Sequence, residues 1–321
     1  LNEQNNLFFP HKKTFHGKLV ENLRYGENPH QQASFYSTNK DTNMIQLHGK
    51  KLSYNNYNDI YSALAITESL ENKVGSVIVK HTNPCGVSFH KNSFISFENA
   101  FNCDPISAFG GIISCNFKVN KKLADRLNKN FFEIIIAKGF DGNALKILKK
   151  KKNLRLIDCS KFKNKMNLNS IFHGDSFLLQ QVDNFQISKK NIKIVSKKKP
   201  NKIQLNDLIF ALNVCRHVKS NSIVLAKNTS TIGIGSGQPN RLDSCKIAIN
   251  KANHFLPKKL HNSIAASDAF FPFTDGIEKL IHAGITAVIQ PGGSIRDKEI
   301  IKFANQTDTI LAFSRTRHFK H

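Results

Sequence analysis

Between residues 206 and 313, segments with helical spacing alternate in near-regular order with short apolar runs. A helix is expected over 206–217, a strand over 222–226, a helix over 276–283, a strand over 285–290, a helix over 297–304 and a strand over 309–313. Alternation of this kind predicts an α/β fold in which helices layer on a sheet. Gly233, Gly235 and Gly237 read as a glycine-rich turn after the first of these strands. Earlier in the chain, apolar spacing over 57–71 predicts a helix leading to a strand over 74–79, with further strand-like runs at 112–114 and 134–137. A lysine-rich stretch from about Lys149 to Lys202 interrupts the pattern, and short strands with exposed connections are expected there, at a subdomain boundary. No internal repeat is established by the sequence.

At 321 residues the chain is long enough for one large domain or two. Hydrophobic residues make up 40%, and no apolar run approaches the roughly 20 residues that span a bilayer. The start has no basic-then-apolar signal pattern, so a globular, cytoplasmic chain without membrane contact is expected. Because it begins with Leu1, the sequence reads as a piece of a longer protein or one trimmed at its start. The six cysteines include no C-x-x-C pair and read as reduced, individually placed thiols. A formal charge of +24 invites a nucleic-acid reading, and a basic nucleic-acid-binding protein is the alternative function. The excess, however, collects in runs such as Lys149 to Lys152 and Lys197 to Lys199, and no RNP, zinc-finger or basic-zipper pattern accompanies it. A solvated basic surface that attracts small anions, without specific nucleic-acid binding, is the reading adopted.

Five segments carry more polar residues and glycine than packing needs. In 23–31, Arg24 could hold a phosphate in a bidentate fork and Tyr25 could stack or donate. At the end of an apolar run, Lys80 and His81 stand above Thr82-Asn83-Pro84-Cys85-Gly86, which reads as a turn. Lysine offers charge and a proton, and histidine accepts one near neutral pH; Cys85 beside them is a candidate nucleophile or a small buried hydrophobe. The third segment is 104–111, with paired glycines. The fourth runs from Ala226-Lys227-Asn228 through the G-x-G-x-G at Gly233 to Gly237, which misses the dinucleotide spacing. The fifth joins 267–275, with three phenylalanines beside a proline, to Gln290-Pro291-Gly292-Gly293-Ser294. It makes either core or a slot for a flat ring.

Together these segments resemble the transformylase region of the bifunctional purine-biosynthesis family, aminoimidazole carboxamide ribonucleotide (AICAR) formyltransferase. L-R-Y-G-E-N-P-H-Q, K-H-x-N-P-C-G, S-A-F-G-G, S-D-A-F-F-P-F, Q-P-G-G-S-I-R-D and the closing R-H-F-K-H occur in the family's order, and the resemblance runs from about Val20 to His321. It implies two cytidine-deaminase-like α/β units in one transformylase region, expected at 16–195 and 196–321 after a linker remnant at 1–15. It also implies a homodimer with shared active sites, and transfer of formyl from 10-formyltetrahydrofolate, as cosubstrate, to the 5-amino group of AICAR. Without the family's N-terminal domain, no cyclohydrolase activity is expected of this chain. By resemblance His81 is the general base, Lys80 stabilises the oxyanion or delivers a proton, and Asn228 is the active-site asparagine. Arg24, Tyr25, Gly110, Glu133, Phe270 and Arg317 would border the nucleotide. Arg241, Leu242, Pro272, Asp275, Ser294 and Ile295 would border the folate, although Thr274 and Pro239 depart from the family pattern nearby. His321 belongs to the family's closing motif. The deaminase-like ancestry suggests zinc, but H-x-E with P-C-x-x-C is lacking and no zinc is expected; potassium is compatible with the reading.

Overall fold

The structure is a computed structural model and describes residues 9–38, 43–70, 74–163 and 168–321. Residues 1–8 of the expected linker at 1–15 lie outside the described residues. A hairpin of β1 (Lys18–Leu23) and β2 (Ala33–Ser37) comes first. The first half of the main sheet then follows as β3 (Ile45–His48), α1 (Tyr54–Glu68), β4 (Gly75–Lys80), β5 (Asn83–Phe89), α2 (Ser93–Cys103), α3 (Pro105–Ala108), β6 (Ile112–Cys115), α4 (Lys121–Leu127), β7 (Ile134–Ala137), α5 (Gly142–Leu148) and β8 (Arg155–Asp158). A second hairpin, β9 (Leu168–His173) and β10 (Ser176–Gln181), leads to the other half. That half comprises β11 (Lys193–Ile194), α6 (Lys202–Cys215), β12 (Ile223–Lys227), β13 (Ser230–Gly235), α7 (Arg241–Phe255), α8 (Pro257–Leu260), β14 (Ser263–Ser267), α9 (Asp275–His282), β15 (Ile285–Gln290), α10 (Asp297–Gln306) and β16 (Ile310–Phe313).

The expected α/β class is the one observed, and the strands at 134–137 and 285–290 fall where apolar spacing put them. Helix α1 starts one turn earlier than expected, because Ser53 and Asn56 close a capping box at its N-terminus, and it ends at Glu68. Glu71, the last residue of the expected helix, lies outside the described residues. Two turns read from the sequence are strands. Pro84, Cys85 and Gly86 lie within β5, leaving His81 and Thr82 as the hairpin tip, and Gly233 and Gly235 lie within β13, leaving Gly237 in the turn. Gly233 and Gly235 are small because α7 crosses them closely: a Cβ on either would run into the carbonyl of Ala248 or Ser244.

Twelve strands form one sheet, in the order β11-β16-β15-β14-β12-β13-β5-β4-β6-β7-β8-β3. The halves repeat one plan. In the first, β4 pairs antiparallel with β5 and β6, β6 to β8 run parallel, and β3 closes the edge antiparallel. In the second, β12 pairs antiparallel with β13 and β14, β14 to β16 run parallel, and β11 closes the edge antiparallel. The boundary expected at 195/196 would leave β11 in the first half, whereas β11 pairs with β16 and closes the edge of the second. The halves join where Ser88 of β5 faces Ser230 of β13, their hydroxyls 2.7 Å apart.

Helices cover both faces, so the central strands are buried and mainly apolar, with small hydroxyl residues such as Ser76, Ser88 and Ser230 among them. Helices α1 and α6 share one core with strands of both halves, through residues such as Ile60, Ile66, Leu208 and Leu212. On the other face α2, α4 and α5 pack on the first half through Phe97, Leu123 and Leu148, and α7, α9 and α10 on the second through Ala248, Leu280 and Ile300. Burying each such large side chain contributes about 1.5–3 kcal/mol.

One ion pair crosses between the halves on this face. Asp104 is buried, accepts from Ser107 at the start of α3, and meets Lys251 Nζ of α7 at 2.8 Å. Burial alone would raise its carboxyl, but the bonds from Lys251 and Ser107 outweigh it and hold the group below the usual range. A depressed carboxylate contributes stability that is present above its unfolded pKa, near 4, and is lost as pH falls through its folded value. Asp104→Asn should therefore lower stability at pH 7 and flatten the acid limb of a melting-temperature titration. An acid limb unchanged by the substitution would show that the pair contributes no pH-dependent stability.

Candidate active site

The tip joining β4 to β5 is built to present two side chains. His81 and Thr82 occupy the left-handed region, at φ 53° and 61°, which costs a non-glycine residue about 1 kcal/mol. Asp59 of α1 offsets that cost. Its carboxylate accepts the backbone N–H of His81 at 3.3 Å and of Thr82 at 2.5 Å. Burial raises the Asp59 carboxyl above its ordinary range and these two bonds pull the other way, so the anchor is a half-buried group committed to the tip. The His81 ring is thereby held in solvent, while Lys80 Nζ donates to the Phe109 carbonyl at 2.8 Å, just before Gly110.

Glu133, at the head of β7, lies beside this tip, and its carboxylate accepts from Asn56 Nδ2 at 3.0 Å. The same charge, with Tyr25, acts on half-buried Arg155, which places Tyr25 in this cluster; desolvation lowers the Arg155 guanidinium below its usual value and these two groups oppose the shift. The loop bearing Arg24 and Tyr25 is closed by Gly26 N–H donating to Gln31 O at 2.7 Å and is tied to α1 by Asn55 donating to Glu27 O. Arg24 is exposed, with its guanidinium 5.6 Å from the Tyr25 ring centre. Cys85, the third residue of β5, is buried with the other five cysteines, and burial pushes its thiol up to about 12, which leaves it a poor nucleophile.

The second half supplies groups to the same edge of the sheet. Asn83 at the tip accepts from Lys219 N–H at 3.1 Å, and Lys219 O in turn accepts from Gly237. Asn221 then binds the turn through Gln238 O and Pro239 O, and its Oδ1 accepts from Arg241 Nη2 at 2.6 Å. Arg241 also reaches Asp268 at 3.0 Å and Phe270 O at 2.9 Å. Asp268 is fully buried, takes Ser220 Oγ at 2.6 Å, and accepts the backbone N–H of His318 through its own carbonyl. A cavity of about 360 Å³ opens here among Ser220, Asn221, Gly237, Gln238, Pro239, Phe319 and His321.

Of the residues expected near folate, Arg241 is tied into the Asp268 network and Leu242 is half-buried at the start of α7. Pro272 is exposed ahead of α9 and Asp275 is exposed at its first position, Ser294 is half-buried, and the neighbouring Ile295 is wholly exposed. Of the nucleotide set, Phe270 and Arg317 are exposed at the ends of β14 and β16, and Gly110 and Glu133 line the tip.

Asn228 does not join them. It lies at the tip joining β12 to β13, and since Ser230 faces Ser88, that tip sits at the far end of β5 from His81. About six strand residues, roughly 20 Å, separate the two. The Asn228 tip is instead the counterpart of the His81 tip. Asn228 and Thr229 have φ 52° and 54°, their N–H groups bind Asp207 of α6 at 2.9 and 2.6 Å, and Lys227 Nζ donates to His261 O. From the second half, the fold brings Asn221 to the His81 edge, an asparagine that the sequence reading passed over. Beside the Asn228 end lies a cavity of about 500 Å³, lined by Lys198, His261, Thr286, Thr309 and neighbours. Among the described residues no three His, Cys, Asp or Glu side chains gather as a metal site, and no helix is long and apolar enough to cross a membrane.

The sequence matches a family model described as AICARFT/IMPCHase bienzyme over residues 1–251. It is 47% identical over 329 residues to the bifunctional purine biosynthesis protein PurH of Buchnera aphidicola subsp. Baizongia pistaciae, covering 100% of this chain and 62% of that protein. Identity is 43% over 323 residues to the protein of the same name from Acetivibrio thermocellus, covering 98% and 62%. With the Bacillus cereus protein of that name it is 44% over 329 residues, covering 100% and 63%. The chain thus spans less than two thirds of the length of these curated relatives.

Proposed function

The chain belongs to the AICARFT/IMPCHase bienzyme family, and from that premise we propose that it transfers a formyl group from 10-formyltetrahydrofolate to the 5-amino group of AICAR in purine biosynthesis. The observation that carries the reading is the His81 tip, where a proton acceptor and an ammonium stand side by side on a turn held by a helix carboxylate, with Asn83 joining the tip to Lys219 of the second half. The amine nitrogen attacks the formyl carbon as His81 takes its proton, and negative charge develops on the formyl oxygen. Lys80 stabilises that oxyanion, since its ammonium retains donors beyond the one spent on Phe109 O. The bond from the formyl carbon to N10 then breaks, and a proton passes to that nitrogen to release tetrahydrofolate.

Arg24 and Arg317 suit the phosphate, with Tyr25, Gly110, Glu133 and Phe270 bordering the ribose and ring. Leu242, Pro272, Asp275, Ser294 and Ile295 form the folate side. Arg241 acts there by holding Asn221 and the Phe270 backbone in place. A role for Asn228 beside His81 requires a second copy of the chain, and the reading includes a homodimer with shared sites in the cytoplasm. No cyclohydrolase activity is assigned to these residues.

Calorimetric titration with AICAR tests the nucleotide side. The wild-type chain should bind it, and Arg317→Ala should weaken binding about 10–100-fold, the loss of one charge-assisted contact to phosphate. An unchanged dissociation constant would remove Arg317 from the site.

A further inference from the structure

Beyond β16 the chain bends at Arg315, which has φ 61°, and its exposure alternates to the end: Ser314 and His318 are buried, whereas Arg315, Arg317 and Phe319 are exposed. We propose that His318 is a positioning residue for Arg317, clamping the C-terminal segment in the register that turns the arginine toward the phosphate of the substrate. The inference rests on the function proposed above and adds a residue to it.

His318 is 1% exposed and held on three sides. Its N–H donates to Asp268 O at 2.9 Å, its Nδ1 lies 2.7 Å from Asp183 Oδ2, and the Phe185 ring stacks on it at 6.5 Å between centres. Asp183 and Phe185 belong to the connection that follows β10, so the clamp joins the tail to the segment between the halves. The remaining tail contacts include backbone bonds from Ser314 N–H to Gln290 O, Arg315 N–H to Pro291 O and Ser220 N–H to Lys320 O, with Lys320 N–H donating to Ser220 Oγ. Main-chain bonds of this kind can re-form one residue out of step, and because side chains alternate, such a slip would turn Arg317 inward. Two side-chain contacts distinguish the correct register, the His318 ring on Asp183 and Lys320 Nζ on His217 O, and the first lies next to Arg317.

The surroundings make the aspartate necessary. Arg216 is buried, with Nε and Nη1 unpartnered and Nη2 3.3 Å from His217 Nε2, and Lys320 Nζ lies on His217 O. Arg216, His318 and Lys320 thus surround His217, and of these His318 and Arg216 act on the Asp183 carboxylate. Asp183 is exposed at its outer edge; its partial desolvation would raise the carboxyl, but the bond and charge from His318, with Arg216 farther out, keep it below the usual range.

The test measures AICAR affinity, steady-state kinetics and amide exchange of residues 316–320 in wild type, His318→Ala and His318→Asn, the first substitution also being made in an Arg317→Ala background. His318→Ala should raise the dissociation constant and KM for AICAR about tenfold, leave kcat within about twofold, and speed exchange in the tail. With Arg317 already replaced it should cost no further affinity, since it acts through that side chain. His318→Asn, which keeps a donor for Asp183, should recover most of the loss and guards against a folding defect. Tail amides that stay protected in His318→Ala overturn the clamp, and an equal affinity loss in both backgrounds overturns its action through Arg317. A wild-type chain that binds no AICAR overturns the function itself, which the exchange result alone would not do.

Discussion

Replacing His81 should lower kcat for formyl transfer by about 10²–10⁴-fold, the usual contribution of a general base, while AICAR affinity changes little. The AICAR amine is a weak nucleophile, so its attack on the formyl carbon has to be coupled to proton removal, and His81 is the exposed acceptor at the tip. The choice of substitution matters, because residue 81 has φ 53° and alanine there adds backbone strain to the loss of the ring. The second tip supplies a better control: Asn228 occupies the same left-handed position on the same kind of aspartate anchor. His81→Asn should keep the tip folded and remove only the base. If both variants lose turnover alike, chemistry is responsible; if His81→Asn turns over normally, residue 81 serves to shape the backbone.

The largest expected effect on stability is at Asp268. Its carboxylate is fully buried and binds Arg241 and Ser220, and the Arg241 side chain is 10% exposed. Asp268→Ala leaves a guanidinium in a poorly hydrated site with Asn221 and Phe270 O as its remaining partners and Nε already unpartnered. Removing one member of such a pair costs about 3–5 kcal/mol, a large part of the stability of an ordinary domain. Denaturant unfolding should show that loss, and Arg241→Leu added to it should recover part by removing the stranded charge. A loss under about 1 kcal/mol would mean that water reaches the pair.

The apolar strands were readable from their spacing because helices cover both faces of the sheet, so that 134–137 is apolar from end to end and 285–290 is apolar but for Thr286 and the terminal Gln290. Glycine and proline misled the reading of β5 and β13, since they ordinarily mark turns and here sit in strands, at Gly233 and Gly235 to admit a helix. The repeat of the two halves was hidden because it is carried by geometry rather than identity: Asp59 and Asp207 bind their tips alike while the presented residues are histidine and asparagine. That likeness also explains Asn228. It has the local setting of an active-site residue, but strand register, which a sequence does not display, puts it at the opposite end of the sheet. Asn221 had no local signal, lying in a plain Ser-Asn-Ser between α6 and β12; its contact with Arg241 depends on the turn after β13 folding back.

Formyl transfer by the purified chain is the most direct test. The chain would be supplied with AICAR and 10-formyltetrahydrofolate, and tetrahydrofolate followed in parallel for wild type and His81→Asn. Turnover by the wild type that falls at least about 100-fold in the variant is the predicted result. A folded wild-type chain that binds both substrates and forms no tetrahydrofolate, or a His81→Asn variant as fast as the wild type, would contradict it.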